Sequence, residues 1–144
     1  MKDDPEDVER LKVIKEWIHK AEEDLKAATY LLKLKEDCPL DTVSFHAQQT
    51  VEKYLKALLV LINVHFPKTH DIGAIIALLP GRFSIRLSPE EKRRFTDYAT
   101  ITRYPGDYEP VTRELAERAL SSARRVRKTV RKYLPKVILR KSVL

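Results

Sequence analysis

Apolar residues recur at intervals of three and four positions along most of the chain, which is the spacing of amphipathic helices. The pattern predicts a long first helix from near Pro5 to about Lys35. Pro39 follows and cannot continue a helix, because it has no amide hydrogen to donate to the preceding turn. The apolar stripe of this first helix comprises Leu11, Ile14, Ile18, Ala21, Leu25, Ala28 and Leu32.

A second helix is predicted to begin after Asp41, which is a suitable N-cap residue, and to run to about Ile62. Its apolar face broadens toward the end, and the residues concerned are Tyr54, Leu55, Leu58, Leu59, Leu61 and Ile62. This width predicts burial among several neighbours. It also favours a homodimer, in which a second copy would cover part of the face.

The next two helices are marked by their ends. A short helix is expected from Thr69 to about Leu79, because Pro80-Gly81 then interrupts the pattern. Ser88-Pro89-Glu90-Glu91 is the clearest start signal in the chain. Serine can cap a helix, proline suits its first position, and a glutamate three residues after the serine completes a capping box.

The fourth helix should stop before Tyr104, and a last long helix is expected from near Pro110 to Pro135, which ends or kinks it. No alternating pattern of strand type extends beyond a few residues. The pattern therefore predicts an all-α, up-and-down bundle of four to five helices. We expect a single domain over residues 1–144, with a basic tail from about residue 136.

Composition narrows the class of protein. A chain of 144 residues, 43% hydrophobic and 34% charged, is typical of one globular domain. The charged fraction and the 3 glycines are compatible with a thermophilic source. The polar, acidic start and the lack of a long apolar run predict a cytoplasmic protein without a membrane segment.

The net charge of +7 is unevenly distributed. From Arg118 to the end there are 10 lysines or arginines and no acidic residue, so the first 117 residues carry 18 basic and 21 acidic residues. A basic end of this kind could attract phosphate groups of a nucleic acid. The alternative is a solvated helix face followed by a frayed basic tail.

Familiar catalytic patterns are missing. With 3 glycines there is no glycine-rich phosphate loop, and the single cysteine, Cys38, cannot form an internal disulfide. The four histidines do not have the paired spacing of a helical zinc site. We therefore predict no cofactor, no metal and no self-evident catalytic centre.

A polar stripe on the predicted second helix is the best candidate for ligand binding. His46, Gln49, Lys53 and Lys56 fall on one side of a helix, where imidazole, amide and ammonium groups could contact a base or a phosphate. The alternative is a solvent-facing stripe in which Lys56 forms an ordinary i,i+4 pair with Glu52.

Other candidates lie outside this stripe. Asp24 lies close to the first apolar stripe and needs a partner, which Lys53, His70 or Arg103 could supply. Arg103 beside Tyr104 offers a guanidinium for phosphate and a ring for stacking. Alternatively, His70 builds a turn, and Tyr104 packs a loop while Arg103 pairs with Asp107. Trp17 and Phe66 are expected in the core or in an interface.

Four segments, in this order, resemble the HEPN domain family (higher eukaryote and prokaryote nucleotide-binding). They are Ala21-Glu22-Glu23-Asp24-Leu25-Lys26-Ala27-Ala28, then Phe45-His46-Ala47-Gln48-Gln49 with Glu52-Lys53 and Leu55-Lys56-Ala57-Leu58, then Pro67-Lys68-Thr69-His70-Asp71-Ile72, and finally Thr102-Arg103-Tyr104-Pro105-Gly106. The resemblance implies about five helices, a homodimer, and a minimal nucleotidyltransferase as partner in a toxin–antitoxin pair.

Many HEPN proteins are metal-independent ribonucleases that use an arginine followed, after four to six residues, by a histidine. This chain departs from that pattern, because Arg10 is the only arginine before the last histidine, His70, and eight residues separate it from His19. The first hypothesis is therefore a noncatalytic nucleotide- or RNA-binding module. The alternatives are a divergent ribonuclease using His46 or His70 beside Arg103, and a purely structural dimerising partner.

Overall fold

The computed structural model describes residues 4–100, 102, 104–106 and 108–140. These residues form an all-helical bundle without a strand, as the apolar pattern predicts. Five of its six helices correspond to the predicted ones, and the sixth is the four-residue helix within the segment expected as a basic tail. The helices are α1 Pro5–Leu31, α2 Leu40–Leu61, α3 Ile72–Ala77, α4 Pro89–Thr100, α5 Arg113–Tyr133 and α6 Lys136–Leu139.

Helix α2 is the centre of the bundle. It packs most extensively on α1 and also contacts α3, α4 and α5. Asp24 of α1 meets His46 near the start of α2, whereas Trp17 meets Lys56 near its end, so the two helices run antiparallel. Most of the broad apolar end of α2 is thus buried within one chain, since Leu55, Leu58 and Leu59 are inaccessible to solvent while Leu61 and Ile62 are half-buried. The width of this face is therefore largely explained without a second copy.

The predicted N-cap of α2 is wrong. The helix begins at Leu40, and Pro39 occupies the cap position without a side-chain hydrogen bond. Asp41 lies in the first turn, where its Oδ2 accepts a hydrogen bond of 2.8 Å from the hydroxyl of Tyr108. The carboxylate of Asp41 therefore binds Tyr108, a residue distant in the chain, instead of capping the start of α2.

Helix α3 is shorter than predicted. It begins at Ile72 instead of Thr69, and its N-cap is Asp71, whose Oδ1 accepts a hydrogen bond of 3.1 Å from the amide of Ala74. Thr69 precedes the helix and its hydroxyl accepts from the amide of Asp71. Thr69 and His70 therefore lie in the segment before α3, outside the helix.

The capping box of α4 is confirmed. The amide of Glu91 donates to Ser88 Oγ at 3.0 Å, and the amide of Ser88 donates to Glu91 Oε1 at 2.9 Å. Pro89 is the first helical residue, as expected. Both bonds lie within one turn, which is why the sequence alone could predict them.

Helix α5 starts at Arg113 with Thr112 as its N-cap, and Leu134 and Pro135 end it. The segment from residue 136, expected as a basic tail, begins with α6, in which the side chain of Ile138 is buried. This segment therefore contributes to the core as well as to the charge. Among the described residues, no helix combines the length and apolarity needed to cross a bilayer.

Candidate functional site

Asp24 is a buried carboxylate on the side of α1 that faces α2. Its Oδ1 lies 2.8 Å from His46 Nδ1, and its Oδ2 accepts a hydrogen bond of 2.5 Å from Lys53 Nζ. Lys53 is one of the three partners expected from the sequence, whereas His70 bonds elsewhere and Arg103 lies outside the described residues. Since an ionised carboxylate only accepts, Nδ1 of His46 carries a proton and its Nε2 is the nitrogen left for other contacts.

Glu52 is a second buried carboxylate on α2, with 4% of its side chain exposed. It accepts hydrogen bonds from Lys56 Nζ at 2.9 Å and Gln48 Nε2 at 2.8 Å, and His70 Nδ1 lies 2.8 Å away. Burial raises the pKa of Glu52, but the bonds from Lys56, His70 and Gln48 outweigh it, so the pKa lies below its ordinary value. Glu52 is therefore an ionised anchor for three side chains.

Lys56 is less suited to a ligand than the sequence suggested. Only 8% of its side chain is exposed, and its ammonium lies 5.7 Å from the ring centre of Trp17 and 5.6 Å from that of Phe66. The two rings meet edge to face at 6.2 Å and pack against the core. The ion pair with Glu52 is thus the expected i,i+4 pair, but it is buried instead of facing solvent.

The remaining candidates form a surface that we call the polar seam, which comprises His46, Gln49, Lys53 and His70. Asp24 and Glu52 lie beneath it and hold the two imidazoles by their Nδ1 atoms. Gln49 Nε2 donates to Gln48 Oε1 at 2.6 Å, and Gln48 in turn donates to Glu52, which connects Gln49 to that anchor. A quarter of the His46 side chain and half of that of His70 are exposed.

The charge of this cluster is nearly balanced. The carboxylates of Asp24 and Glu52 oppose the ammonium groups of Lys53 and Lys56. With neutral imidazoles the seam has no excess cation, so it would contact a base or a ribose through hydrogen bonds more readily than it would hold a phosphate by charge.

Tyr104 lies in the segment between α4 and α5. Its side chain is 65% exposed, and it follows the end of α4. Arg103 and Asp107, which the sequence placed beside it, lie outside the described residues. The predicted contribution of Arg103 and Tyr104 to binding therefore remains a prediction.

A second polar cluster, on the α5 side of the same helix pair, was not predicted from the sequence. Arg127 makes a bidentate contact with Glu22, at 2.7 and 3.0 Å, and the hydroxyl of Tyr54 donates to Glu22 at 2.6 Å. Arg131 donates to the same hydroxyl at 3.2 Å. Burial and the Glu22 carboxylate raise the pKa of Tyr54 to about 12. The cluster ties α1, α2 and α5 together.

Metal binding finds no support in these contacts. Within the described ranges, no group of three or more histidine, cysteine, aspartate or glutamate side chains has an arrangement that could hold a metal ion. The acidic groups of the site are instead paired with lysine ammonium groups and hydrogen-bonded to imidazole and amide groups.

Comparisons with known proteins agree on one family. The family model of the HEPN domain matches residues 14–133, which include both anchors and the whole polar seam. A protein of Methanocaldococcus jannaschii named "Putative toxin MJ1304" is 31% identical in a 140-residue alignment that covers 86% of this chain and 90% of that protein.

Two solved structures share the fold. TT1696 from Thermus thermophilus superposes with a TM-score of 0.67 at 28% identity, covering 84% of this chain and 98% of that one. ST0689, described as an archaeal HEPN homologue, gives a TM-score of 0.64 at 23% identity and covers 83% of this chain and 96% of its own. With a family match over most of its length and a relative above 30% identity, this chain belongs to the HEPN domain family.

Proposed function

We propose that this chain is a nucleotide- or RNA-binding and interaction module that partners a minimal nucleotidyltransferase in a toxin–antitoxin-like pair. The observation that carries the proposal is the polar seam. Two buried carboxylates hold its two imidazoles by their Nδ1 atoms, so the Nε2 atom of each imidazole is left to contact a ligand. A buried carboxylate is stable only when paired, so the anchors hold the histidines in fixed orientations. Ligand groups would meet preset donors and acceptors.

The seam suits the base and ribose of a nucleotide. His46, Gln49 and His70 offer imidazole and amide groups, which recognise base edges and hydroxyls by hydrogen bonds. Lys53 adds one ammonium, 21% exposed, that is shared with Asp24. Lys56 supports the site from below, since it is buried against Glu52.

Family membership and the relative named as a toxin support the proposed nucleotidyltransferase partner. A homodimer is part of the same proposal, and it rests on the family resemblance because α2 is already covered within one chain. Sedimentation of the purified protein alone and with a co-expressed nucleotidyltransferase tests both associations. A monomer that binds no such partner would contradict them.

The binding test is a titration of the purified protein with a panel of mononucleotides and a short single-stranded RNA. We expect His46→Ala and His70→Ala each to weaken binding about tenfold, the effect of losing a well-oriented hydrogen bond and part of a preset site. His65→Ala is the matched control, because His65 is an exposed histidine in the loop before α3 and is not part of the seam. Equal affinity of all three variants and the wild type would overturn the proposal for the seam.

A metal-independent ribonuclease is the second candidate, and one observation favours it. The Asp24–His46 and Glu52–His70 contacts, both 2.8 Å, have the arrangement in which a carboxylate orients a histidine as a general base. The family's arginine and histidine spacing is nevertheless absent from the sequence. A substitute centre would need a cation to stabilise the charge that develops on the phosphate.

We expect the purified protein alone not to cleave RNA. The test is incubation with total RNA in the presence of a chelator, beside His46→Ala, His70→Ala and Arg103→Ala. Cleavage that one of these substitutions abolishes would replace the binding module by an enzyme. Cleavage that all three leave unchanged would indicate a contaminating nuclease.

A further inference from the structure

A concavity of about 280 Å³ lies between the loop at residues 80–88 and the second half of α5, and none of its lining residues belongs to the polar seam. We call it the α5 pocket. Its polar lining comes from Ser84 and Arg86 of the loop and from Arg125, Thr129, Lys132 and Tyr133 of α5. On α5, positions 125, 129 and 132 follow one another at intervals of four and three, so they share one face of the helix.

The loop is fastened to α5 at several points. Phe83 is buried and packs edge to face on Tyr133, with ring centres 4.8 Å apart. The hydroxyl of Tyr133 donates to the carbonyl of Arg82 and accepts from the amide of Ser84, both at 3.4 Å. Arg125 Nη2 donates to the carbonyl of Arg86 at 3.3 Å. The shape of the pocket is therefore set before any ligand arrives.

The charge of the α5 pocket is one-sided. No aspartate or glutamate lines it among the described residues. Arg86 and Lys132 are exposed and form no ion pair with any described residue, and Arg125 shares its guanidinium with Glu91 at 2.7 Å. The polar seam differs, because its ammonium group is matched by a carboxylate. The hydroxyls of Ser84 and Thr129 add groups that can donate to an anion.

We infer that the α5 pocket binds a phosphate group, either of a free nucleotide or of an RNA backbone. A guanidinium fork and an ammonium on opposite walls of a preset concavity form a suitable pair of contacts for a tetrahedral anion. The kind of ligand follows from the proposed function, whereas the place follows from the pocket alone.

The test uses pyrophosphate, a mononucleotide and a short uridine oligonucleotide without a terminal phosphate as probes. In the intact protein, Arg86→Gln combined with Lys132→Gln should weaken binding of a phosphate-bearing probe about tenfold or more. For the oligonucleotide, the slope of log affinity against log salt should become shallower by roughly 1.4, from about 0.7 per neutralised charge.

Lys20→Gln combined with Lys26→Gln is the matched control, since both lysines are exposed on α1 and the change in net charge is the same. This control should leave both the affinity and the salt slope close to those of the wild type. Equal losses of affinity in the two double variants would show that only the overall charge matters. They would overturn the proposal that the α5 pocket binds phosphate.

The three probes and the seam variants separate the possible outcomes. Pocket-dependent binding of pyrophosphate and mononucleotide alone identifies a free nucleotide as the source, and pocket-dependent binding of the oligonucleotide identifies a backbone. Binding lost in His46→Ala or His70→Ala but kept in the pocket variant overturns the pocket and leaves the proposed function. Binding lost only in the pocket variant supports phosphate binding by the α5 pocket and overturns ligand binding by the polar seam. A wild type that binds no probe overturns both.

Discussion

Glu52 is the residue on which three side chains of the site converge. Its carboxylate is 4% exposed and neutralises Lys56, which is itself 8% exposed beneath Trp17 and Phe66. Removing one partner of a buried ion pair leaves an uncompensated charge, whereas removing both is far less costly. Glu52 therefore compensates the buried charge of Lys56 and fixes the position of His70.

We predict that Glu52→Gln lowers the free energy of unfolding by about 3–5 kcal/mol, the usual cost of breaking a buried pair. Combining it with Lys56→Met should recover most of that loss, because the stranded ammonium is then gone. Urea unfolding measures both variants. Glu114→Gln, in the exposed i,i+4 pair with Arg118, is the control and should change stability by less than about 0.5 kcal/mol. A loss of similar size in both single variants would contradict the assignment.

A second prediction at this scale concerns acid stability and Glu91. Burial raises the pKa of Glu91, but hydrogen bonds from Ser122, the Ser88 amide and Arg125 outweigh it and lower the pKa to about 2. A carboxyl with a depressed pKa contributes stability above its unfolded pKa, and this contribution is lost as the pH falls toward the folded one. We therefore expect stability to decrease between pH 4.5 and about 2.

Glu91→Gln should flatten this part of the curve of unfolding free energy against pH. Glu90→Gln is the matched control, since Glu90 is the neighbouring residue of α4, is 56% exposed and forms an ion pair with Arg94. The control should keep the slope of the wild type. The same acid dependence in Glu91→Gln and the wild type would show that the contacts of Glu91 do not govern it.

At the scale of elements, α6 shows how a short segment can belong to the core. It has four residues, and Ile138 is 2% exposed whereas the adjacent Val137 is 40% exposed. A helix this short is not stable by itself, so packing of Ile138 against the bundle holds it. Deleting residues 136–144 would remove this side chain together with the basic charges.

We predict that Ile138→Ala lowers the free energy of unfolding by about 2–4 kcal/mol, because it removes buried methyl groups and leaves a cavity. Val137→Ala, on the exposed side of the same helix, should cost less than about 1 kcal/mol. Thermal or urea unfolding of the two variants measures this difference in the free energy of unfolding. Equal small losses would mean that α6 is only loosely attached.

For the whole molecule, the distribution of charge matters more than its sum. The α5 and α6 region carries many arginines, but several are already paired, for example Arg127 with Glu22 and Arg125 with Glu91. Lys128, Lys132 and Lys136 are exposed and form no ion pair with described residues. The excess positive potential should therefore be concentrated on the unpaired side of α5 and at the C-terminal end.

We predict that RNA binding weakens steeply with salt and that the C-terminal charges contribute to the slope. Lys136→Gln combined with Arg140→Gln should make that slope shallower by roughly 1.4, at about 0.7 per charge for a single strand. Point substitutions are preferable to deletion because they keep Ile138 in the core. Titrations at several salt concentrations measure the slope, and an unchanged slope would show that these charges are merely solvated.

Local patterns in the sequence determined the elements of this protein. The helical period of α1, α2 and α5 and the capping box at Ser88 and Glu91 involve residues at most four positions apart, so the sequence displays them directly. The need of Asp24 for a partner was also predictable, since a carboxylate close to an apolar stripe must be compensated. These local patterns predicted the fold class, the start of α4 and Lys53 as one of the two partners of Asp24.

Only the tertiary structure decided which distant groups meet. His46 reaches Asp24 across 22 positions and Arg127 reaches Glu22 across 105, and periodicity names the face of a helix but not the neighbour packed on it. The same packing buries Lys56 and places Asp41 within hydrogen-bond distance of Tyr108. It also forms the α5 pocket from two segments distant in the chain. Pairing of this kind depends on how the helices pack and on which charges that packing removes from water, and no short stretch of sequence encodes either.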